Sequence, residues 1–458
     1  MQIKKPSVQR KLNISRYRRL GGEFLWIGSG QVASVLGMVV GVRLLTGVLE
    51  PQIYGELALG MTAAMLVQQV VMGPLGNTSL RFFAPARETG EFWSFLAVLR
   101  NLLIRASIVI LIIVALSCLG LQLAGKSDWV WLILAAFVFA LLSGYNSVLD
   151  GIQNAARQRP VVAWHHALSS WGRFLAAVGL VVWLGASSAI AMRGYVLASI
   201  LVLLSQAWFF KRKIMSDVVN NPRHVQADIQ NSWETKMFTY AWPFATWGVF
   251  TWAQMASGRW ALQMFSSTQD VGLFAVLYQL GYYPITIVTM MMVQLVAPVF
   301  FQRAGDGSDP SRICNVFAMN WCLVSVGIIL TIVATVGSIF IHPLVFRLLV
   351  DPEYQHVSWM LPVLILSGGL FATGQFSSIS LMSSNESRTL IGPKIGTAIL
   401  GLLMNFVGAF WFGIPGVVGA SLAFSAVYMV WVFFLVRTRR NQLVIVDNSL
   451  SPNSQDAL

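Results

Sequence analysis

Runs of apolar residues, each about twenty residues long, alternate along the chain with short polar connections. A helix needs about 20 residues to cross the hydrocarbon core of a bilayer, so each run is long enough to form one crossing. The pattern predicts an all-α integral membrane protein with about twelve transmembrane helices, at residues 24–47, 57–80, 97–121, 129–150, 161–184, 187–210, 237–262, 271–299, 315–341, 358–383, 395–412 and 416–436.

Lysine and arginine are distributed unevenly over the connections between these spans. When the connections are assigned to alternate sides, those on the side of the N-terminus carry 23 basic residues. Those on the other side carry only Lys126 and Arg347. Because short loops rich in Lys and Arg are retained in the cytoplasm, both termini are expected to be cytoplasmic.

The overall composition supports a location in a membrane. Mean hydropathy is +0.68, and 11% of residues are charged, against about 25% in soluble domains. The net charge of +13 falls mainly on loops expected to face anionic lipid, and no motif of a nucleic-acid-binding domain accompanies it. Nucleic acid is therefore not an expected partner. The three cysteines are too scattered for a disulfide framework or a metal site, and no cofactor is expected.

The longest connection on the N-terminal side, residues 211–236, divides the spans into two sets of six. We predict a basic cytoplasmic N-terminus (1–23), an N-terminal bundle (24–210), a linker (211–236), a C-terminal bundle (237–437) and a disordered cytoplasmic tail (438–458). Short matches recur between the two sets: Arg43 and Gly55 correspond to Arg259 and Gly272 at offsets of 216 and 217 residues, and Ser147 and Asn154 correspond to Ser378 and Asn385 at an offset of 231. They suggest an internal repeat in which both halves have the same orientation, because an even number of spans separates the copies.

Several stretches resemble a known family. RLLTGVLEPQIYG at residues 43–55, with Arg81 after the second span, is similar to the opening signature of polysaccharide (O-antigen-type) flippases of the multidrug/oligosaccharidyl-lipid/polysaccharide exporter superfamily. Pro284 and Pro298 in the eighth span and DPEY at 351–354 fit the same pattern.

The resemblance implies two six-helix bundles forming a V-shaped transporter with an alternating-access mechanism. Its substrate would be an undecaprenyl-diphosphate-linked oligosaccharide, moved across a bacterial cytoplasmic (inner) membrane during polysaccharide or lipopolysaccharide biosynthesis. Membrane lipids and the polysaccharide polymerase machinery are the expected partners, and the protein is not expected to be an enzyme.

Arg173 is the leading candidate for substrate binding. A charged side chain at the centre of a bilayer costs about 2.5–3.5 kcal/mol, so it is usually hidden in a polar interior. His166, Ser170 and Arg173 follow i, i+4, i+7 spacing, which places them on one face of a helix. We expect this face to line a cavity between the two predicted bundles. Arg173 would there bind the diphosphate or an acidic sugar, because guanidinium presents paired donors to phosphate oxygens. An alternative is an architectural contact with Asp150 or with helix carbonyls.

Other charged residues suggest weaker roles. Three arginines fall near the outer ends of their spans, namely Arg43, Arg193 and Arg259. They form a cationic rim that binds the diphosphate, or else each side chain extends to the membrane interface or pairs with a nearby carboxylate. Ion coupling has only weak candidates, namely His165, His166, Asp150 and Glu56.

The carboxylates help to decide between substrate classes. All 18 Asp and Glu residues lie in connections or close to the end of a span. A multidrug cation exporter of the same fold would need an intramembrane carboxylate, and a membrane enzyme of glycan assembly would need a large outer loop. A lipid II flippase usually has two further spans. An anionic, lipid-linked substrate therefore fits the sequence best.

Overall fold

The computed structural model describes residues 7–215, 227–304, 310–384 and 387–450, and every long element in these ranges is a helix. We label the helices α1 (Ser7–Thr46), α2 (Pro51–Glu88), α3 (Phe92–Leu123), α4 (Asp128–Ala155), α5 (Arg159–Leu184), α6 (Ser188–Met215), α7 (Ala227–Phe265), α8 (Thr268–Ala304), α9 (Pro310–Leu349), α10 (Pro352–Ser383), α11 (Ile391–Phe412) and α12 (Ile414–Leu450). A π-helical turn interrupts α2 at Gln68–Met72 and another ends α6 at Lys211–Met215. The first nine residues of α10 are 3₁₀-helical.

Within the described ranges, eleven of these helices are long and apolar enough to cross a membrane, which confirms the predicted all-helical membrane class. The helix outside this group is α7, which contains the span predicted at 237–262. It is 39 residues long, so its length suffices for a crossing. Its five tryptophans, with Glu234, Lys236 and Arg259, lower its mean hydropathy.

Helices extend beyond four of the predicted boundaries. Part of the predicted N-terminal segment lies in α1, which begins at Ser7. The ends of the predicted linker are helical as well, since residues 211–215 complete α6 and residues 227–236 begin α7. The tail predicted to be disordered from residue 438 continues α12 to Leu450, because residues 438–450 contain no Gly or Pro to end the helix. Residues 1–6, 216–226 and 451–458 lie outside the described ranges.

The chain forms two compact units. Unit 1 contains Met1–Val48 and Gly60–Val249, and unit 2 contains Leu49–Leu59 and Phe250–Leu458. The units therefore differ from the predicted bundles in two segments: residues 49–59 pack with unit 2, and residues 237–249 pack with unit 1, together with the part of the predicted linker that begins α7.

Each unit shows the same scheme of helix packing. In unit 1, α5 packs on α1 and α6, while α4 packs on α2, α3 and α6. In unit 2, α11 packs on α12, while α10 packs on α8, α9 and α12. The contact of α11 with α7 corresponds to that of α5 with α1, and Asn405 there donates to the Ser257 hydroxyl over 2.7 Å. This correspondence agrees with the internal repeat that the sequence suggests.

Hydrogen bonds explain why residues 49–59 pack with unit 2. The Tyr354 hydroxyl donates to the Leu49 carbonyl over 2.7 Å, and the Tyr54 hydroxyl donates to Gln279 Oε1 over 2.7 Å. Gly55 and Gly272 also cross at backbone contact, where a Cβ on either glycine would collide with a carbonyl of the other helix. The two copies of the sequence match around Gly55 and Gly272 are therefore direct neighbours within unit 2.

The first part of α7 belongs to unit 1, where a buried indole packs against α2 and α3. The Trp233 ring is 4% exposed, and its Nε1 donates to Glu91 Oε2 over 2.8 Å. Edge-to-face contacts join this ring to Phe82 and Phe95, at 5.8 and 6.0 Å between centroids. Arg105 on α3 forms an ion pair with the neighbouring Glu234. Together these contacts fix the first half of α7 against α2 and α3.

Candidate functional site

The candidate site lies on α5, whose position is set by close packing against α1. Gly37 makes this approach possible, because a Cβ at that position would lie 2.8 Å from the Trp171 ring. The Trp171 indole donates to the Ala33 carbonyl over 2.9 Å, and the Ser170 hydroxyl donates to the Ser34 carbonyl over 2.7 Å. Ser170 is buried in this interface, so its observed contact is one of helix packing, and its role in substrate binding stays a prediction.

Arg173 is half-buried near the middle of α5. Its Nε donates to the Ser169 carbonyl over 3.0 Å, so the side chain runs back towards the N-terminus of α5. The guanidinium lies over the Phe139 ring of α4, 6.0 Å from its centroid. Contact with an aromatic face stabilises a cation that has left water. The arrangement keeps a positive charge near the middle of a predicted span.

About two turns after the start of α5, His166 pairs with the only carboxylate on α4 after its first turn. His166 Nε2 lies 3.3 Å from Asp150 Oδ2, with the two side chains 44% and 22% exposed. The other carboxylate oxygen accepts a 2.7 Å hydrogen bond from Gln206 Nε2 on α6. Asp150 is thus held between an imidazole and a buried amide, at the junction of three helices.

Gln206 is itself fixed from α4. Gln153 Nε2 lies 3.4 Å from the Gln206 carbonyl, and both glutamine side chains are at most 1% exposed. The side-chain oxygens of both residues are buried without a hydrogen-bond partner in the structure. A buried amide that gives its N–H to Asp150 in this way holds the carboxylate in one position.

His165 differs sharply from its neighbour. It is 1% exposed, and its Nδ1 donates to the Val161 carbonyl over 2.7 Å. The Ser205 hydroxyl of α6 lies 2.9 Å from Nε2. Both ring nitrogens therefore have partners within the packed contact of α5 and α6. These contacts fit a packing role, and ion coupling by His165 stays a prediction.

The other candidate charges lie apart from this group. Arg43 and Arg193 are exposed in unit 1, and Arg193 lies over the Trp131 ring, 5.7 Å from its centroid. Arg259 belongs to unit 2 and is buried, at 5% exposure. Glu56 is half-buried at the start of α2, also in unit 2. The proposed rim and the ion-coupling role of Glu56 stay predictions.

The structure therefore brings His166 and Asp150 into contact and places Arg173 on the same helix, within electrostatic range of His166. Sequence reasoning missed Gln206, Gln153 and Phe139. Gln206 lies 56 residues from Asp150, and no local pattern signals a contact at such a separation. A polar residue inside an apolar span was the only available signal.

A family comparison decides the class of the protein. The model of the polysaccharide biosynthesis protein family matches residues 20–303, more than half of the chain. The chain belongs to this family. No curated protein sequence matches it.

Solved structures with the family's fold include transporters of two kinds. A multidrug resistance MATE transporter of the MOP superfamily, in its inward-facing conformation, aligns with a TM-score of 0.68 at 14% identity, over 90% of this chain and 95% of the other. The lipid II flippase MurJ, in an inward closed conformation, also aligns with a TM-score of 0.68, at 13% identity over 90% of this chain and 87% of the other. A MOP superfamily transporter from Pyrococcus furiosus, described as having a binding pocket of reverse polarity, aligns with a TM-score of 0.57 at 13% identity, over 90% of this chain and 96% of the other. These likenesses show that the chain shares the fold of these transporters.

Proposed function

We propose that this protein is a flippase that moves an undecaprenyl-diphosphate-linked oligosaccharide from the cytoplasmic to the outer leaflet of a bacterial inner membrane. The mechanism is alternating access, with both termini in the cytoplasm. Membership of the polysaccharide biosynthesis family supports the pathway, and the polymerase that joins the repeat units is the expected partner. The protein binds and releases its substrate without breaking covalent bonds.

The observation that carries the substrate class is the position of Arg173. Its charge lies near the middle of a span, half-buried and backed by an aromatic ring. A cation kept in such a place is explained by an anionic ligand that offsets the cost of burial. A diphosphate fits because guanidinium donates in pairs to phosphoryl oxygens. Arg43, Arg193 and Arg259 are proposed as additional anion contacts during transit.

The nearest carboxylate supports the same conclusion. Asp150 already accepts from His166 and Gln206, so both of its oxygens have donors within the protein. A carboxylate bound in this way is a poor site for a cationic drug, which would have to displace two N–H donors.

Export of cationic drugs is the second candidate, because a MATE transporter shares the fold. One reconstitution distinguishes the two functions. Purified protein in proteoliposomes is supplied either with a fluorescent undecaprenyl-diphosphate-linked sugar or with ethidium. We expect the lipid-linked sugar to become accessible to a membrane-impermeant quencher, with no accumulation of ethidium beyond that in empty vesicles. Ethidium transport with no movement of the lipid-linked sugar would contradict the proposal.

A further inference from the structure

A carboxylate beside a proposed anion site needs an explanation, because it lowers the local affinity for an anionic ligand. Asp150 lies against His166, which is seven residues before Arg173 on α5. Seven residues correspond to about two turns, or about 10 Å, along the helix. The Arg173 side chain shortens this separation, because its bond to the Ser169 carbonyl directs it towards His166.

The geometry of Asp150 matches the way in which a phosphoryl group would be bound. Imidazole N–H and amide N–H groups donate to phosphoryl oxygens as readily as to carboxylate oxygens. His166 is 44% exposed, so a ligand on this face of α5 reaches it without unpacking the bundle. Gln206, which anchors Asp150 from the opposite side, is only 1% exposed and stays in the core.

We propose that Asp150 is an internal competitor for the anionic headgroup of the substrate: its carboxylate holds His166 before the substrate binds, and protonated His166 leaves this carboxylate to bind the diphosphate together with Arg173. The inference rests on the proposed function, since it assigns His166 and Arg173 to one anion subsite. Only hydrogen bonds and ion pairs are exchanged, and the proton is taken from water onto His166.

The charges around His166 give the sign of the pH dependence. Above the titration range of an imidazole, Arg173 and Asp150 together leave the site without net charge; below it, protonated His166 adds one positive charge. Lower pH should therefore tighten binding of an anion. The two α1–α5 hydrogen bonds in the described part of the chain, from Ser170 and Trp171, involve uncharged side chains, and the groups of α6 that face His166 are neutral. The groups that face this region are Asp150 from α4, His165 and Arg173 from α5, Tyr195, Ser205 and Gln206 from α6, and Ala33 and Ser34 from α1.

Equilibrium binding of undecaprenyl diphosphate to the purified full chain in detergent tests the proposal. We expect the wild-type protein to bind this probe about fivefold more tightly at about pH 5.5 than at about pH 8, from one added charge in a partly screened site. Asp150→Asn should bind it about fivefold more tightly than wild type at about pH 8. His166→Gln should show less than about a twofold change with pH.

Two further variants test whether the pH effect is specific to His166 and whether the effect at Asp150 depends on the residue that replaces it. His342→Gln alters a histidine of unit 2 that contacts Ser358, and it should keep the pH dependence of the wild type. Asp150→Ser removes the same carboxylate with a smaller side chain, and it should also tighten binding. It replaces Asp150→Asn in the test if that variant does not fold. Monodispersity and melting temperature are measured for every variant.

The outcomes separate this inference from the proposed function. If the wild type binds the probe and Arg173→Ala weakens binding, while neither Asp150 variant tightens it, the competitor role is wrong and the flippase proposal stands. A His166→Gln variant that keeps the full pH dependence overturns the role of His166 in the same way. If the folded wild type does not bind the probe at either pH, both proposals fail.

Discussion

The two units place different side chains at corresponding positions of the same helix scheme. In unit 1, α4 and α5 carry Asp150, His166 and Arg173. At the offset of 231 residues, α10 and α11 of unit 2 carry Leu381, Thr397 and Met404.

The local environments differ as much as the residue types. Leu381 is 1% exposed in an apolar cluster with Phe317 and Tyr428. The Thr397 hydroxyl donates to the Pro393 carbonyl of its own helix over 2.6 Å. In unit 1 the matching side chains instead bind to one another and to α6. Helix packing depends on shape and small residues, so a repeat preserves it, whereas an intramembrane charge is expensive and is expected only where function uses it.

The largest effect is expected from giving unit 2 the carboxylate of unit 1. Leu381→Asp buries an unpaired charge in an apolar cluster, which should lower the free energy of unfolding by about 3–5 kcal/mol. Membrane levels and the melting temperature of the purified protein measure this loss. Leu381→Met is the control and should change stability by less than about 1.5 kcal/mol. A stable, fully expressed Leu381→Asp protein would show that unit 2 can also accommodate charge.

Next in size is the loss of the cation in unit 1. Arg173→Ala should reduce flipping of the lipid-linked sugar by about 10- to 100-fold, the equivalent of losing one or two charge-assisted hydrogen bonds. Arg173→Lys keeps the charge but loses the paired donors, so its rate should be intermediate. Met404→Ala changes the corresponding residue of unit 2 and should stay within about twofold of wild type. Full activity of a folded Arg173→Ala protein would remove this residue from the mechanism.

A smaller effect should follow from making a helix contact of unit 2 resemble that of unit 1. At the contact of α5 with α6, Gly194 packs on Ala177, whereas α11 and α12 meet through Gly408 and Gly416. A Cβ on Gly408 would lie 2.5 Å from the Gly416 carbonyl oxygen. Gly408→Ala should therefore cost about 1–2 kcal/mol of stability through overpacking.

Thermal unfolding of the purified Gly408→Ala variant measures this cost. Gly419→Ala is the matched control, since a Cβ at that position has nothing within 4 Å. Equal melting temperatures for the two variants would mean that the contact of α11 with α12 relaxes without cost.

The smallest effect concerns the exposed arginine of unit 1. Arg193 contacts the Trp131 ring at an exposed position, so Arg193→Ala should lower stability by about 0.5–1 kcal/mol. Arg259→Ala changes a buried arginine of unit 2 and should lower the melting temperature further, because truncating a buried side chain leaves a cavity. A larger loss for Arg193→Ala would reverse the expected ranking of the two sites.

Much of the fold could be read from the sequence because the bilayer imposes one length on every crossing. Eleven predicted spans coincide with long apolar helices. Helix ends were less accurate, since no Gly or Pro marks the points where α7 and α12 pass beyond the apolar runs, and α1 continues through Gly21 and Gly22. The span in α7 is weaker by hydropathy because tryptophan and charged residues replace aliphatic ones there.

Part of the candidate site was also predictable. Arg173 and His166 were identified because charged or titratable residues inside an apolar run need an explanation. Helical spacing placed them on one face, but it also placed Ser170 there, and the structure uses that hydroxyl to bind α1. Spacing gives the direction of a side chain and does not give the neighbour that it meets.

The sequence by itself determined the membrane class, the positions of the apolar spans, the family and the arginine near the middle of α5, because these follow from hydropathy and motif within single segments. Only the tertiary structure decided that Asp150 meets His166 and Gln206, that His165 is locked in a packed contact, and that residues 49–59 pack with unit 2. Such contacts join residues from 16 to 305 positions apart, and their energy depends on how whole helices pack. No local pattern carries that information.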